Sequence, residues 1–198
     1  TIHFSPINIS NIFKFLYQNQ IIISSIHISP AIYRWKGAAK YDIIHKQHFH
    51  EEGDGLQELK EKIVEEDPLE KGIRKALNLG HTIGHAFESF AMESGKPVLH
   101  GYAVAWGLVC ELYLACIKCQ FPTEKMRQTV RFITDHYGKM PVSCDNYERL
   151  YEYMTHDKKN IAGHVNFTLL ADIGNIRIDQ SASKSEIFEA LDFFRDGQ

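Results

Sequence analysis

Residues 74–90 read RKALNLGHTIGHAFESF, a stretch that combines the apolar spacing of a helix with two glycines and two histidines. Positions four apart lie on the same face of an α-helix, so His81 and His85 are predicted to project together. Glycine inside a helix costs about 1 kcal/mol relative to alanine, so Gly80 and Gly84 call for compensation. Close backbone packing or room for a ligand would provide it. Both fit a helix over about residues 69–89 that lies against another helix.

A polar stripe continues along the same predicted helix. Asn78 and Arg74 extend the face of the histidines by one and two turns, and Glu70 extends it further. One explanation is structural, because Glu70 and Arg74 could form an exposed ion pair worth about 0.3–0.5 kcal/mol. The other is that the stripe lines a binding cleft, and the spacing alone leaves both open.

A third histidine, His100, directly precedes the next predicted helix in the segment LHGYAV. The free amide groups of a helix N-terminus favour an anion. Neutral imidazole is a common ligand of divalent transition metals, and two or three histidines with a carboxylate are typical of open catalytic zinc sites. Two histidines four residues apart more often form a polar patch, and Thr82 stands where the zinc-protease motif has glutamate.

The apolar spacing elsewhere predicts a mainly α fold, a helical domain with one small β-hairpin. The hairpin is predicted from VNFTLLADIGNIRI, with its turn at residues 172–175. Besides the helix over 69–89, three helices are predicted by their ranges: from about 56 to Pro68, from about 102 to 118, and from Pro122 to near Gly138. Two more are predicted from their N-terminal caps, one after Asp145 or Asn146 and one after a capping box of Ser183 and Glu186.

The composition of the chain changes near Glu51. Residues 1–50 contain no glutamate and one aspartate, Asp42, and are rich in Ile, Ser, Asn, Gln and Phe. The sequence therefore predicts two parts: an atypical segment of uncertain structure over 1–50, and the helical domain over 51–198.

Charge, apolar runs and cysteines exclude several classes of protein. A net charge of -3 with dispersed basic residues does not suit a nucleic-acid partner. No apolar run approaches the length of about 18 residues expected of a membrane-spanning helix, and no signal peptide is evident, so we expect a cytoplasmic protein without a membrane partner. The four cysteines are predicted to be free thiols in a reducing compartment.

Three segments together resemble the C-terminal metal-binding domain of the 3-dehydroquinate synthases, members of the sugar-phosphate cyclase family. They are DPLEKGIRKALNLGHTIGHAFES, LHGYAVAWG and DKKNIAGHVNFTLLADIG, and the resemblance extends from about Leu56 to the C-terminus. It implies an enzyme with an N-terminal NAD-binding α/β domain, a helical domain, and an active site in the cleft between them. It also implies a homodimer.

The resemblance implies specific roles for individual residues. A divalent metal, zinc or alternatively cobalt, would be bound by His81 and His100, with a glutamate from an earlier helix as the third ligand. The positions that would be catalytic are His85, Lys60, Arg74 and Asn78. The positions that would bind a phosphorylated sugar-acid substrate are Lys60, Glu70, Arg74, Asn78, His85, Lys158 and Lys159, where the cationic side chains would hold carboxylate and phosphate.

The implied reaction converts 3-deoxy-D-arabino-heptulosonate 7-phosphate to 3-dehydroquinate in the shikimate pathway of aromatic amino-acid biosynthesis. It would proceed by transient NAD-dependent oxidation, phosphate elimination, re-reduction, ring opening and aldol closure. A bound metal would polarise the hydroxyl that is oxidised, and His85 would contact phosphate or assist proton transfer.

The sequence departs from the family in three places. The Gly-rich phosphate turn of an NAD-binding domain has no counterpart. No glutamate precedes Glu51, and Gln18 and Asn19 occupy the region of the expected metal ligand, so that ligand is absent or replaced. Tyr102 follows His-Gly where the family commonly has glutamate. The candidates for a replacement ligand are Asp42, His45, His48 and His50.

Three interpretations therefore stay open. The first is the C-terminal part of a 3-dehydroquinate synthase that is inactive alone. The second is a working cyclase, of this or a related product, that borrows its cofactor site from another chain. The third is a non-catalytic metal-binding or dimerisation module.

Overall fold

The computed structural model describes residues 64–155, 165–173 and 175–197. Within these residues the fold is mainly helical with one antiparallel hairpin, which confirms the predicted fold class. Its elements are a 3₁₀ helix at Ile73–Asn78, α1 at His81–Glu93, α2 at His100–Cys119, α3 at Thr123–Tyr137, α4 at Tyr147–Thr155, β1 at Val165–Asp172, β2 at Asn175–Ala182 and α5 at Lys184–Asp196. The segment over 1–50 and the helix start predicted at residue 56 lie outside the described residues.

The predicted single helix over 69–89 is wrong, because the chain forms a 3₁₀ helix and then α1. The two are separated at Leu79 and Gly80, and Gly80 adopts the left-handed conformation with φ +80°. Only glycine adopts this conformation without strain. The break lets the chain change direction, so that α1 begins at His81.

Close backbone packing accounts for the glycines of this region. A Cβ on Gly107 of α2 would lie 2.3 Å from the carbonyl oxygen of Gly80 and 2.4 Å from the amide nitrogen of Gly84. A Cβ on Gly84 would in turn lie 3.0 Å from the Cα of Val104. The backbones of α1 and α2 therefore touch where these glycines meet, as the first of the two sequence explanations requires.

Helix α2 is the central helix of the domain and packs against α1, α3, α5 and β1. It starts at His100 and ends at Cys119, slightly longer than predicted. By length and composition it is apolar enough to cross a membrane, which corrects the expectation that no run comes close. However, 67% of its apolar stretch is buried inside the protein, as in the core helix of a soluble domain.

The ends of α3 and α4 are set by local signals. Pro122 precedes the first residue of α3 and Gly138 follows its last, as predicted. The cap before α4 is Ser143 rather than Asp145 or Asn146, because a 3₁₀ turn at Cys144–Asn146 is inserted before the helix. Asn146 contributes from inside that turn, where its side-chain oxygen accepts a hydrogen bond from the Ser143 amide at 2.9 Å.

The hairpin packs against the 3₁₀ helix. Its strands pair from Val165 with Ala182 to Asp172 with Asn175, so the turn falls where the sequence predicts it. The hydroxyl of buried Thr168 donates to the carbonyl oxygen of Lys75 at 2.8 Å. This bond fixes the 3₁₀ helix against β1.

Helix α5 closes the core. Its predicted capping box is confirmed, since the Ser183 amide donates to Glu186 and the Glu186 amide donates back to the Ser183 hydroxyl. The rings of Phe194 and Phe87 pack with centroids 5.1 Å apart, which joins α5 to α1. The four cysteines are free, as predicted.

Candidate metal centre

Three histidines meet where α1 and α2 begin. His81 is the first residue of α1, His85 lies one turn later, and His100 is the first residue of α2. Their ring centroids are 5.3 to 5.6 Å apart. The nitrogens that each can offer lie within 4.8 Å of one another, the one such group of three potential ligands in the described part of the chain.

The packing of the two helices produces this cluster. Because α1 and α2 touch at Gly80, Gly84 and Gly107, the first turns of the two helices lie close enough for the ring of His100 to reach those of His81 and His85. His81 and His100 are half-buried at this junction, whereas His85 is exposed. The cluster is thus open to solvent on the side of His85 and closed on the side of the core.

Two of the rings are oriented by partners behind them. Nδ1 of His81 lies 3.2 Å from the carbonyl oxygen of Leu79, and Nδ1 of His100 lies 3.1 Å from a carboxylate oxygen of Glu88. Both partners are acceptors, so Nδ1–H donates a hydrogen bond to each and the lone pair of Nε2 is left for a ligand. Metal-binding histidines in proteins usually have such outer partners, which fix the tautomer and raise basicity.

The donor set fits a divalent metal. Zinc binds imidazole nitrogen at about 2.0–2.1 Å, so two ligand nitrogens on one ion lie at most about 4.2 Å apart. The nitrogens of the cluster, within 4.8 Å of one another, need only small side-chain rotations to reach that spacing. Imidazole nitrogens with an open side are typical of catalytic zinc sites, and His81 and His100 could supply two of the ligands.

Glu111 is a feature of this region that the sequence reasoning missed. Its side chain on α2 is completely buried, and its carboxylate accepts hydrogen bonds from the amides of Gly80 at 2.6 Å and Ile83 at 3.1 Å. Burial raises the pKa of Glu111 to about 8, against the effect of the amide donors, which lower it. A single acid inside the apolar run VCELYLAC is the signal that could have identified it.

The predicted polar stripe is not a helical face. Glu70 lies in a turn with φ +55°, and its carboxylate accepts a hydrogen bond from the side-chain amide of Asn78 at 2.6 Å. The guanidinium of Arg74 donates to the carbonyl oxygen of Pro68 at 3.0 Å. The break at Gly80 is the reason for this difference, because it separates Arg74 and Asn78 from the helix of the histidines.

Asp67 organises this turn. Its carboxylate accepts hydrogen bonds from the amides of Lys71, Gly72 and Arg74 at 2.9, 2.7 and 3.2 Å. These donors hold the pKa of Asp67 below its usual value. The turn thereby places Glu70, which precedes the 3₁₀ helix, against Asn78, the last residue of that helix.

The remaining residues singled out in the sequence either belong to another part of the fold or lie outside the described residues. Tyr102 packs against the rings of Trp106 and Tyr137, with centroids 5.9 and 5.2 Å away, so it joins an aromatic cluster between α2 and α3. Burial there raises the pKa of Tyr137 to about 12. The residues that lie outside the described part of the chain are Gln18, Asn19, Asp42, His45, His48, His50, Lys60, Lys158 and Lys159.

The arrangement of helices and hairpin is found in solved sugar-phosphate cyclases. A crystal structure of 2-deoxy-scyllo-inosose synthase complexed with carbaglucose-6-phosphate, NAD⁺ and Co²⁺ matches with a TM-score of 0.62 at 20% identity, over 77% of this chain and 42% of that one. A 2-epi-5-epi-valiolone synthase from Streptomyces hygroscopicus, with NAD⁺ and Zn²⁺ bound, matches with a TM-score of 0.58 at 18% identity, over 74% of this chain and 40% of that one. The fold is therefore that of the helical part of this class of enzyme.

Within that class, the comparison of sequences identifies the family. The chain belongs to the family described as 3-dehydroquinate synthase C-terminal, whose model matches residues 37–160. A 3-dehydroquinate synthase of Parabacteroides distasonis is 56% identical over 138 residues, which is 70% of this chain and 39% of the relative. One from Solibacter usitatus is 35% identical over 134 residues, 67% of this chain and 37% of the relative. The chain thus spans about two fifths of the length of these curated relatives.

Proposed function

We propose that the chain is the helical part of a 3-dehydroquinate synthase, a phosphate-eliminating lyase. The proposed substrate is 3-deoxy-D-arabino-heptulosonate 7-phosphate, and the product, 3-dehydroquinate, would enter the synthesis of aromatic amino acids. The observation that carries the proposal is the cluster of His81, His85 and His100 at two converging helix ends. The chain that carries this cluster is 56% identical, over the matched region, to a relative named 3-dehydroquinate synthase.

A related cyclase is the alternative within the same class. The solved synthases that make other cyclic products share the fold but only 18 to 20% of the sequence. The two curated 3-dehydroquinate synthases share 56% and 35% over a similar length. The higher identity favours 3-dehydroquinate as the product.

A zinc or cobalt ion would be held by His81 and His100. Bound there, it would act as a Lewis acid toward a substrate hydroxyl. The half-buried position of both rings keeps them close to the protein interior, and the partners on Leu79 and Glu88 keep Nε2 directed away from the backbone. The third ligand would be the glutamate that the resemblance implies, or another donor in its place.

His85 is proposed to act on the substrate rather than on the metal. It is the exposed member of the cluster, so its ring can reach a ligand that approaches from solvent. A neutral imidazole near the phosphate could hydrogen-bond a phosphate oxygen or take up a proton as the phosphate leaves.

The cationic and amide groups would orient the substrate. Arg74 can form bidentate bonds to a carboxylate or phosphate, whereas Lys60, Lys158 and Lys159 would act as point charges. The hydrogen bond between Asn78 and Glu70 holds the Asn78 amide in place. Asn78 and Glu70 would then contact substrate hydroxyls.

The described residues do not fit an NAD site of their own. Their single sheet is an antiparallel hairpin, whereas dinucleotides bind at the edge of a parallel sheet with a Gly-rich turn. We therefore propose that turnover requires a cofactor-binding domain and that this chain alone is inactive. The homodimer and the cytoplasmic location are parts of the same proposal.

Zinc binding is the first test of this proposal. Calorimetry on the whole chain should give about one zinc per chain, and His81→Ala and His100→Ala should each abolish binding or weaken it severely. His136→Ala is the matched control, because that ring lies on α3 and bonds its own helix at the Phe132 carbonyl. Equal binding by all four proteins would contradict a metal centre at the cluster.

Catalysis is tested by adding a cofactor-binding domain. The chain is mixed with a separately produced NAD-binding domain of the Parabacteroides distasonis relative, with NAD⁺, zinc and substrate, and phosphate release is followed. Release above that of each part alone, lost with His85→Ala, supports the proposal. Release by the chain on its own would contradict its dependence on a cofactor domain.

A further inference from the structure

Glu111 occupies an unusual place for an acid. It lies about three turns into α2, has no exposed surface, and both of its carboxylate oxygens accept amide donors from the start of α1. The other buried polar side chains in the described ranges are the neutral hydroxyls of Thr129 and Thr168. Burying a carboxylate costs several kcal/mol, so a neutral cap would satisfy two amides at a lower cost in folding free energy.

The usual cap is not possible at this helix. A Ser, Asp or Asn at the N-cap position normally accepts the first free amides of a helix. Here the N-cap is Gly80, which has φ +80° and whose added Cβ would lie 3.0 Å from the carbonyl oxygen of Val104. The acceptor for these amides therefore comes from the neighbouring helix.

This arrangement couples the two helices at the histidines. The Gly80 and Ile83 amides lie on either side of His81, so their bonds to Glu111 fix the backbone that carries this ring. Glu111 belongs to α2, whose first residue is His100. One carboxylate thus sets the position of the first histidine relative to the third.

We propose that Glu111 is a positioning residue of the metal centre, which holds the start of α1 against α2 so that His81 and His100 can share one ion. The inference rests on the proposed metal-binding function. It goes beyond that function because Glu111 touches neither metal nor substrate and acts through the backbone on either side of His81.

The test compares Glu111→Gln with the wild-type chain. The glutamine amide has nearly the same shape but places an NH₂ group against one of the two backbone donors, so the start of α1 should shift. We expect zinc affinity to fall about 10- to 100-fold, as for losses of outer partners in metal sites. The visible absorption bands of the cobalt-loaded protein should change in position or intensity, which a loss of stability alone would not produce.

A matched control is Thr129→Val, which removes a buried hydroxyl that bonds its own helix on α3, at the Lys125 carbonyl. It should destabilise the chain while leaving zinc affinity and the cobalt spectrum unchanged. A folded Glu111→Gln protein with wild-type affinity and cobalt spectrum would overturn the proposal, as would an equal loss of affinity in Thr129→Val.

A readout without metal separates this inference from the proposed function. Nuclear Overhauser contacts between the ring protons of His81 and His100 should be present in the wild type, whose ring centroids are 5.3 Å apart, and lost in Glu111→Gln. If the wild type binds no zinc but the contacts are lost in the variant, the metal function fails while the positioning role stands. Contacts that persist in the variant overturn the positioning role itself.

Discussion

Glu88 is the side chain that most directly orients His100. Its carboxylate lies 3.1 Å from Nδ1 of that ring, and both residues are partly exposed. Glu88→Gln keeps an acceptor but removes the charge, so Nε2 becomes less basic and the ring less firmly held. We expect zinc affinity to fall about tenfold, measured by calorimetry with a competing chelator.

The control for this change is Glu189→Gln, an exposed glutamate of α5 away from the cluster. It removes the same charge from the chain without touching a histidine. A similar loss of affinity in both variants would show that net charge, rather than the contact with His100, governs binding.

Single residues also show how far sequence reasoning reaches. His81, His85 and His100 could be placed together because helical spacing and a recognisable motif both pointed to them. The role of Glu111 could not be predicted, because its position as a single acid in an apolar run indicates burial but does not show which groups it bonds. Its role depends on the neighbouring helix, a tertiary relation that spacing does not encode.

At the scale of elements, the contact between α1 and α2 leaves the least space for a larger side chain. Gly107→Ala would place a Cβ 2.3 Å from the Gly80 carbonyl oxygen, and backbone atoms cannot rotate away as a flexible side chain can. The helices must separate, so we expect a loss of about 3 kcal/mol or more in the free energy of unfolding, measured with urea. Zinc affinity should fall as well, because the histidines move apart.

Gly95→Ala is the comparison for that experiment. An added Cβ there meets nothing within 4 Å, although the backbone has φ +68°. The cost should be about 1–2 kcal/mol from conformation alone, with zinc affinity unchanged. If Gly107→Ala were no more costly than this, the close approach would not be a constraint.

The predicted boundaries of helices and strands are correct where a local sequence signal sets them. They are wrong where tertiary packing sets them. The capping box of Ser183 and Glu186 and the turn after Asp172 were predicted from residues that act on their own backbone. The break at Gly80 was not, because the apolar spacing continues through it and only the contact with α2 requires the chain to turn. The polar stripe was misplaced for the same reason.

At the scale of the whole molecule, stability should depend on pH through Glu111. Burial raises the pKa of its carboxyl from 4.5 to about 8, so between these values the folded state holds more protons than the unfolded state. This contribution to the free energy of unfolding therefore decreases as pH rises from about 4.5 to about 8. Urea unfolding at several pH values should show the decrease in the wild type relative to Glu111→Gln.

Partly or fully exposed carboxylates act in the opposite direction at lower pH. Hydrogen bonds and ion pairs hold the pKa values of Asp67, Glu93, Asp172 and Glu186 below normal, so the stability they provide is lost as pH falls through those values. The two effects therefore oppose each other, that of Glu111 above about pH 4.5 and that of these carboxylates at lower pH. A wild-type curve that instead rose relative to Glu111→Gln toward pH 8 would contradict the contribution of Glu111.

The mainly helical class and the hairpin could be predicted because apolar periodicity is a property of each segment. The packing of α2 at the centre could be inferred only in part, from its apolar character on most sides. What was not accessible is which faces meet, since backbone contact between glycines leaves no periodic trace.

The short distance along the chain between α1 and α2 has a consequence for folding. His81, His85, His100 and Glu111 all lie within two consecutive helices, so the contacts that align the histidines close loops of no more than 31 residues. The cost of closing a loop grows only slowly with its length. We therefore expect the histidines to be aligned as soon as α1 packs against α2, whether or not α5 has joined the core, so that metal binding would stabilise this pair of helices first.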